Sequence, residues 1–526
     1  MLIAHPTLTE KGKSNPPRSK DRKIADVCLV LEGTYPYVSG GVSSWVHTII
    51  EGMPEISFSL FVILPDNKPR KFRFKVPDNV IELNVLYLSH GGYNQKALFS
   101  GPKNADYLKE IEKFHSVISR NNTENKEDPS HSELGAAITK VSDIFNQQNW
   151  NIPDRLHSKH TWELLQKNYK EKRDEISFVD YFQTWKALHT SIFAIMNSYI
   201  PKCKVFHTIS TGYAGFVGAK GSAQYNVPLI LTEHGIYNKE RKIDIARSTW
   251  IYEEDRELFR AQTGVETFKK FWIHAFRIMS QICYEASNEI ITLYTGNQRF
   301  QLEDGAEAEK MKIIPNGIHY SLLSKLEKPK KEKKIIGFVG RVVPIKDVKT
   351  FLRAVAIVFR SNDTAEAWLM GPTDENKEYY QECVQLVEFL KIKDRVKFVG
   401  MVNLIDYYPK LDVLVLTSIS EAQPLVILEA QALEIPAIST DVGGCRELLE
   451  GIPGEDQKAG RSGLITGLAN PMNTASAILH IFNSPEEARE MGKVGRERVE
   501  KYYDLPKLIQ RYRDLYQLHM ASKSDS

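Results

Sequence analysis

The sequence predicts an α/β chain with two doubly wound domains joined by a short charged linker. Short, continuous apolar runs recur along it with helical stretches between them, the alternation of a parallel sheet covered on both faces. That alternation occurs twice, on either side of the lysine-rich segment 325–334. At 526 residues, the chain is also far too long for a single hydrophobic core.

Composition narrows the function classes. A net charge of +3 is nearly neutral for this length, and argues against nucleic acid as the main partner, which requires a sizeable basic surface. Cys28, Cys203, Cys283, Cys383 and Cys445 are scattered without C-x-x-C spacing. An odd, unclustered set reads as reduced thiols of a cytoplasmic protein rather than disulfides or a zinc site. No run approaches the roughly 18 apolar residues that span a bilayer. Residues 1–23 are polar and read as a flexible tail. Any recruitment to the inner face of the membrane is therefore expected through partners.

The first domain is expected over 24–324. It opens with an apolar strand at 26–31, a turn-rich loop at 32–41 and a helix at about 42–51, the first unit of a doubly wound sheet. Strands follow at 56–63 and 80–87. A helical insertion is expected at about 100–200, interrupted by a polar surface loop at 121–134 that lacks aromatics. Strands resume at 205–209, 228–232, 289–293 and 312–314. After the linker 325–334, a second domain over 335–500 repeats the alternation, with strands at 335–339, 367–370, 395–399, 412–417, 436–440 and 463–466. A terminal helix and tail occupy 501–526. Two such Rossmann-like domains are expected to face a cleft.

Four sequence features carry candidate chemistry. Glu421 and Glu429 lie eight positions apart, the first on a loop leaving a strand and the second inside the following helix, whose first turn suits Pro424. Glu421 would sit outside the carboxyl end of that strand, where open α/β sheets hold ligands. The carboxylate of Glu429 could accept from paired hydroxyls such as those of a ribose. Gly340-Arg341 and Lys346 follow the strand 335–339 and could neutralise a diphosphate, the guanidinium bidentately and the ammonium as a point charge. Gly40-Gly41 allow backbone N–H groups to approach a phosphate at a helix N-terminus. The complete G-x-G-x-x-G fingerprint is absent, so a nicotinamide cofactor is not supported. His234 ends the strand 228–232, where it could donate to a sugar hydroxyl or shuttle a proton. Each also has a plainer reading, as solvated loop cations, a tight glycine turn or a packing histidine, while Tyr237, Glu240 and Arg241 continue from His234 into the same crevice or form a packing network.

Together these sites resemble the retaining GT-B glycosyltransferases of the glycogen- and sucrose-synthase-like group. The matching residues are Gly40-Gly41, His234-Gly235, Pro315-Asn316-Gly317, Gly340-Arg341 with Lys346, Glu421 to Glu429 and Asp441-Val442-Gly443-Gly444. His319 departs from the aspartate usual in the N-G-x-D turn. Within that group, the segments 32–45, 232–237 and 443–448 resemble the PelF-type cytosolic transferases of bacterial Pel exopolysaccharide synthesis. The resemblance implies a UDP-sugar donor held by Gly40, Gly41, Arg341, Lys346, Glu421, Ala422, Pro424, Leu425 and Glu429. It assigns catalytic parts to His234, Arg341, Lys346 and Glu421. It implies no metal and no other cofactor, and a terminal helix returning to the first domain. The expected reaction moves a hexose or N-acetylhexosamine onto an oligosaccharide or polysaccharide acceptor, in company with a membrane-bound synthesis complex. A glycogen-synthase-like or sucrose-type transferase with another acceptor is one alternative. A catalytically idle nucleotide-sugar-binding subunit is the other.

Overall fold

The computed structural model describes residues 24–88, 159–170, 177–247 and 262–521. The expected tail 1–23, the polar loop 121–134 and most of the helical insertion lie outside the described residues. Of the insertion, the helices Lys159–Lys170 and Phe178–Met196 are described.

The chain divides into two units. The first takes Met1–Ile291, Phe300–Lys312 and Arg513–Ser526, and the second takes Thr292–Arg299 and Ile313–Tyr512. The segment 325–334, read from sequence as the linker, thus lies within the second unit. Its lysines are held there by carboxylates: Lys331 pairs with Asp412 at 2.7 Å and Lys333 with Glu366. The last helix, Leu505–Ala521, begins in the second unit and ends in the first.

The first unit is built on β1 (Ala25–Glu32), β2 (Phe58–Leu64), β3 (Val80–Tyr87), β4 (Cys203–Thr208), β5 (Leu229–Glu233), β6 (Glu289–Thr292) and β7 (Met311–Ile313). They form one sheet in the order β3-β2-β1-β4-β5-β6-β7. The pairings of β1 with β2 and β4 are parallel, as are those of β2 with β3 and β4 with β5. Every residue of β2 is buried, which is why its sequence FSLFVIL reads as an apolar run rather than an alternating one. The helix Gly41–Glu51 turns Trp45, Val46, Ile49 and Ile50 inward, the stripe of a helix covering a sheet. The end of the last helix is fastened here by Tyr516, whose hydroxyl meets His207 Nδ1 at 2.6 Å.

The second unit holds β8 (Lys334–Val339), β9 (Ala365–Met370), β10 (Val396–Gly400), β11 (Val413–Leu416), β12 (Ala437–Thr440) and β13 (Gly463–Thr466). Their order is β10-β9-β8-β11-β12-β13. The helix Val348–Ser361 buries Val348, Phe351, Leu352, Val355, Val358 and Phe359, an i, i+3, i+4, i+7 pattern that covers one sheet face. Its N-cap, Asp347, accepts from Thr350 N and adopts a φ of 44°, a conformation that aspartate tolerates better than most residues.

Both sheets therefore share one topology, in which the strand order reverses once. The reversal falls between β1 and β4 in the first unit and between β8 and β11 in the second. Adjacent connections leave in opposite directions at such a point, opening a crevice at the carboxyl ends of the strands. The loops after β1, β8 and β11 carry Gly40-Gly41, Arg341 with Lys346, and Glu421.

Candidate functional site

In the second unit, backbone contacts build the crevice between β8 and β11. Gly371 follows β9 with a φ of +147°, and a Cβ there would stand 2.1 Å from Gly340 O. The loop after β8 can take its course only because residue 371 has no side chain. Thr417 Oγ1 then donates to Lys346 O at 3.2 Å and Asp347 O at 2.9 Å, while Ile419 N donates to Ile345 O at 2.8 Å. These bonds lock the two loops together. Lys346 Nζ meets Glu421 Oε1 at 2.5 Å, with both side chains mostly buried, at 17% and 12% exposed.

Glu421 is held from the other side by Gly443-Gly444. Gly444 N donates to Ala422 O at 2.7 Å. Gly443 has a φ of +54°, and a Cβ there would lie 2.0 Å from Glu421 O. Gly443→Ala meets both a strained backbone and a backbone clash, so Glu421 must move. Turnover is expected to fall by about a hundredfold, the scale at which a misplacement of about an ångström acts. Initial-rate kinetics on the folded variant check this, and an unchanged rate would show that the position of Glu421 does not matter.

Gln423, a residue to which sequence reasoning assigned no part, completes the loop. Its Oε1 accepts from Asn316 N at 2.7 Å and its Nε2 donates to Leu293 O at 3.2 Å. One buried amide thus ties the Glu421 loop to the Pro315-Asn316-Gly317 turn. An amide two positions after a candidate carboxylate was the available signal. His319, where the resemblance expects aspartate, is exposed and makes no side-chain cap to the short helix Tyr320–Leu323.

The other candidates of this unit have separate partners. Arg341 pairs with Glu375 at 2.6 Å, both side chains being about half exposed. Such a pair contributes little to stability. Glu429 lies in the helix Leu425–Ala432, with Pro424 as the residue just before it rather than in its first turn. Tyr408 donates to Glu429 Oε2 at 2.5 Å, leaving Oε1 without a hydrogen-bond partner among the described residues. Burial pushes the Glu429 carboxyl above its usual range, against the lowering effect of the Tyr408 bond.

In the first unit, Gly40 and Gly41 are exposed, and a Cβ on either would meet nothing within 4 Å. Packing inside the unit does not require glycine at either position, and the space before the helix Gly41–Glu51 is open. His234 is buried, with its ring edge-on to Trp45 at 4.8 Å and no hydrogen-bond partner for Nε2 among the described residues. Burial lowers its pKa to about 4, so at neutral pH the ring is uncharged. That favours its reading as a hydrogen-bonding group over the proton-shuttle alternative. Tyr237, Glu240 and Arg241 form the packing network. Tyr237 donates to Glu32 Oε1 at 2.9 Å, Glu240 lies where a side chain on Gly235 would point, and Arg241 pairs with Asp244 at 3.0 Å.

Glu233, next to His234, is wholly buried. It accepts from Tyr284 Oη at 2.7 Å, Gln301 Nε2 at 3.1 Å and Tyr237 N at 3.1 Å. Burial nonetheless outweighs these donors and raises its pKa from 4.5 to about 7. The folded state therefore holds a proton that the unfolded state has lost between these values, and stability falls as pH rises through that window. The loss is about 3 kcal/mol between pH 4.5 and 7. Glu233→Gln is expected to flatten this dependence, as read from urea unfolding across the window. An identical slope in the variant would assign the titration elsewhere.

Two doubly wound sheets of this strand order define the GT-B class of glycosyltransferase fold. The sucrose-phosphate synthase of Thermosynechococcus elongatus has the same architecture, with a TM-score of 0.56 and 18% identity over 94% of this chain and 100% of that one. So does Anabaena HepE in its complex with UDP and glucose, at 0.55 and 14% identity over 94% and 99%. Residues 25–309, more than half of the chain, match the family described as "Domain of unknown function (DUF3492)", and the protein belongs to that family. Residues 333–484 match "Glycosyl transferases group 1". A relative in Kineococcus radiotolerans named D-inositol 3-phosphate glycosyltransferase is 26% identical over 249 residues, 43% of this chain and 56% of its own length. The chain spans about half the length of the curated relatives it matches. No helix of the described residues is long and apolar enough to cross a membrane.

Proposed function

We propose that this protein is a retaining glycosyltransferase that moves a hexose or N-acetylhexosamine from a UDP-sugar onto a growing Pel-like exopolysaccharide at the cytoplasmic side of a membrane-bound synthesis complex. The observation that carries the reading is the Lys346–Glu421 pair at the topological reversal of a group 1 glycosyl transferase domain, with Glu429 in the helix behind it. A lysine ammonium has three donors, so Lys346 can keep Glu421 and still hold a donor phosphate. Arg341 can exchange Glu375 for a second phosphate contact, and Glu429 Oε1 is open to a ribose hydroxyl. Glu421 accepts from hydroxyls of the donor sugar. His234, in the first unit, is uncharged, and the resemblance carries over to it a hydrogen-bonding role toward a sugar.

In the reaction, the bond from the anomeric carbon to the β-phosphate oxygen breaks and an acceptor hydroxyl oxygen bonds to the same face of that carbon. The hydroxyl proton passes to the leaving phosphate, and UDP departs. Lys346 and Arg341 act on the charge that grows on the diphosphate, where preorganised cations have their largest effect. The scheme carries over the expectation that no metal takes part.

Thermal melting of the purified protein against nucleotides and nucleotide sugars tests the proposal. A ligand that binds only the folded state raises the melting temperature by mass action. The expected result is a rise with UDP and UDP-sugars, without added metal, that Glu429→Ala and Arg341→Ala abolish. Absence of any shift at millimolar nucleotide overturns it.

A further inference from the structure

The loop between β2 and β3 has an unusual composition. Within 66–75 it carries Lys68, Arg70, Lys71, Arg73 and Lys75, interleaved with Phe72 and Phe74, and a single acid, Asp66. Asp66 is already engaged by Arg70 at 2.7 Å and Lys68 at 3.7 Å. Lys71, Arg73 and Lys75 are exposed and meet no carboxylate among the described residues. The loop is nevertheless fastened in place. Arg73 N donates to Pro36 O at 2.8 Å, and the Phe74 ring packs 5.2 Å from both Tyr35 and His47. Phe72 rests edge-on against Tyr37 yet is 41% exposed, and neighbouring Val38 is 48% exposed.

We propose that this loop is a docking surface for an anionic lipid bilayer. Unpaired cations of one sign call for an anionic partner. Exposed Phe72 and Val38 beside them call for a partner with an apolar layer directly behind its charges, which is the profile of a lipid interface. An acidic polysaccharide would use the cations, but the side chain of Val38 has no hydrogen-bonding atom to offer a sugar. The packing of Phe74 and the Arg73–Pro36 bond hold the cations in place before contact. This surface goes beyond the transferase reading and uses none of the residues assigned to the donor.

Co-sedimentation of the full-length protein with vesicles tests it. The protein is expected to pellet with phosphatidylcholine vesicles containing phosphatidylglycerol, less so as salt rises, and to stay in solution with phosphatidylcholine alone. Each surface cation is worth about fivefold in partitioning. Replacing Lys71, Arg73 and Lys75 together by serine should therefore weaken binding on the order of a hundredfold, and Lys71→Gln alone about fivefold. Phe72→Ser should weaken binding without changing its salt dependence. All variants should keep the wild-type melting temperature and its rise with UDP, so loss of vesicle binding and failure of the donor reading are distinguishable. The proposal is overturned if the protein ignores anionic vesicles, or if the triple variant binds them as well as the wild type does. Retention on polygalacturonate without vesicle binding also overturns it, reassigning the patch to a soluble polyanion.

Discussion

Transfer is expected to fall roughly a hundred- to a thousandfold when Lys346 is replaced by alanine, the range for loss of one preorganised group that stabilises developing charge. The size of the effect follows from the geometry. Lys346 Nζ is fixed 2.5 Å from Glu421 in a mostly buried setting, and its own carbonyl is tied to Thr417. The cation therefore does not have to be ordered when the donor arrives. Glu421→Gln keeps the shape of the pair and removes its charge, so it separates hydroxyl binding from charge balance. In Glu421→Gln, Lys346 loses its carboxylate and becomes freer to hold phosphate, so the Michaelis constant for the donor is expected to change less than the turnover. Initial rates of UDP release, with melting temperatures to confirm folding, provide the check. Near-normal turnover in Lys346→Ala would remove this lysine from the mechanism.

The largest stability effect is expected at a buried arginine with no part assigned in the crevice. Arg498 is buried in the helix Pro485–Tyr502 and spends its guanidinium on acceptors of five residues, Asp456, Leu448, Leu449, Gly460 and Ser462. Nε lies 2.9 and 3.1 Å from the two oxygens of Asp456. Nη1 donates to Leu449 O at 3.1 Å and Ser462 Oγ at 3.0 Å, and Nη2 to Gly460 O at 2.7 Å. Arg498→Met leaves Asp456 as a buried charge without its counter-ion, a change that costs about 3–5 kcal/mol. The expected readout is earlier unfolding of the second unit in urea, with the melting temperature lowered. Arg498→Lys should recover only part of the loss, because a point ammonium cannot span a planar fork of acceptors. Asp456→Asn, which removes the charge but keeps acceptors, should cost less than Arg498→Met. The reverse order would show that the Asp456 charge stabilises the fold through contacts other than Arg498.

The strands were legible because a strand of a doubly wound sheet is buried on both faces and reads as an unbroken apolar run. The expected strands at 80–87 and 463–466 coincide with β3 and β13, and the others differ by a few residues at their ends. The positions of Glu421, Lys346 and His234 at strand ends followed from the same runs. The linker did not follow. A lysine-rich segment looks the same in sequence whether it is solvated or laid along a domain surface, and partners distant in the chain, among them Asp412, Glu366 and Glu434, hold 325–334 within the second unit. Gln423 was not singled out because its partners, Asn316 and Leu293, lie more than a hundred residues away.

By itself, then, the sequence determined which segments form the two sheets and which residues stand at their carboxyl ends, since both depend on short-range patterns of burial and turn chemistry. Tertiary structure alone decided what those residues meet. It paired Lys346 with Glu421 across 75 positions, gave Arg341 to Glu375 and Glu429 to Tyr408, and made His234 a neutral ring and Glu233 a group titrating near 7. Charge pairing and burial act through space, and the distances they depend on exist only once the chain has closed on itself.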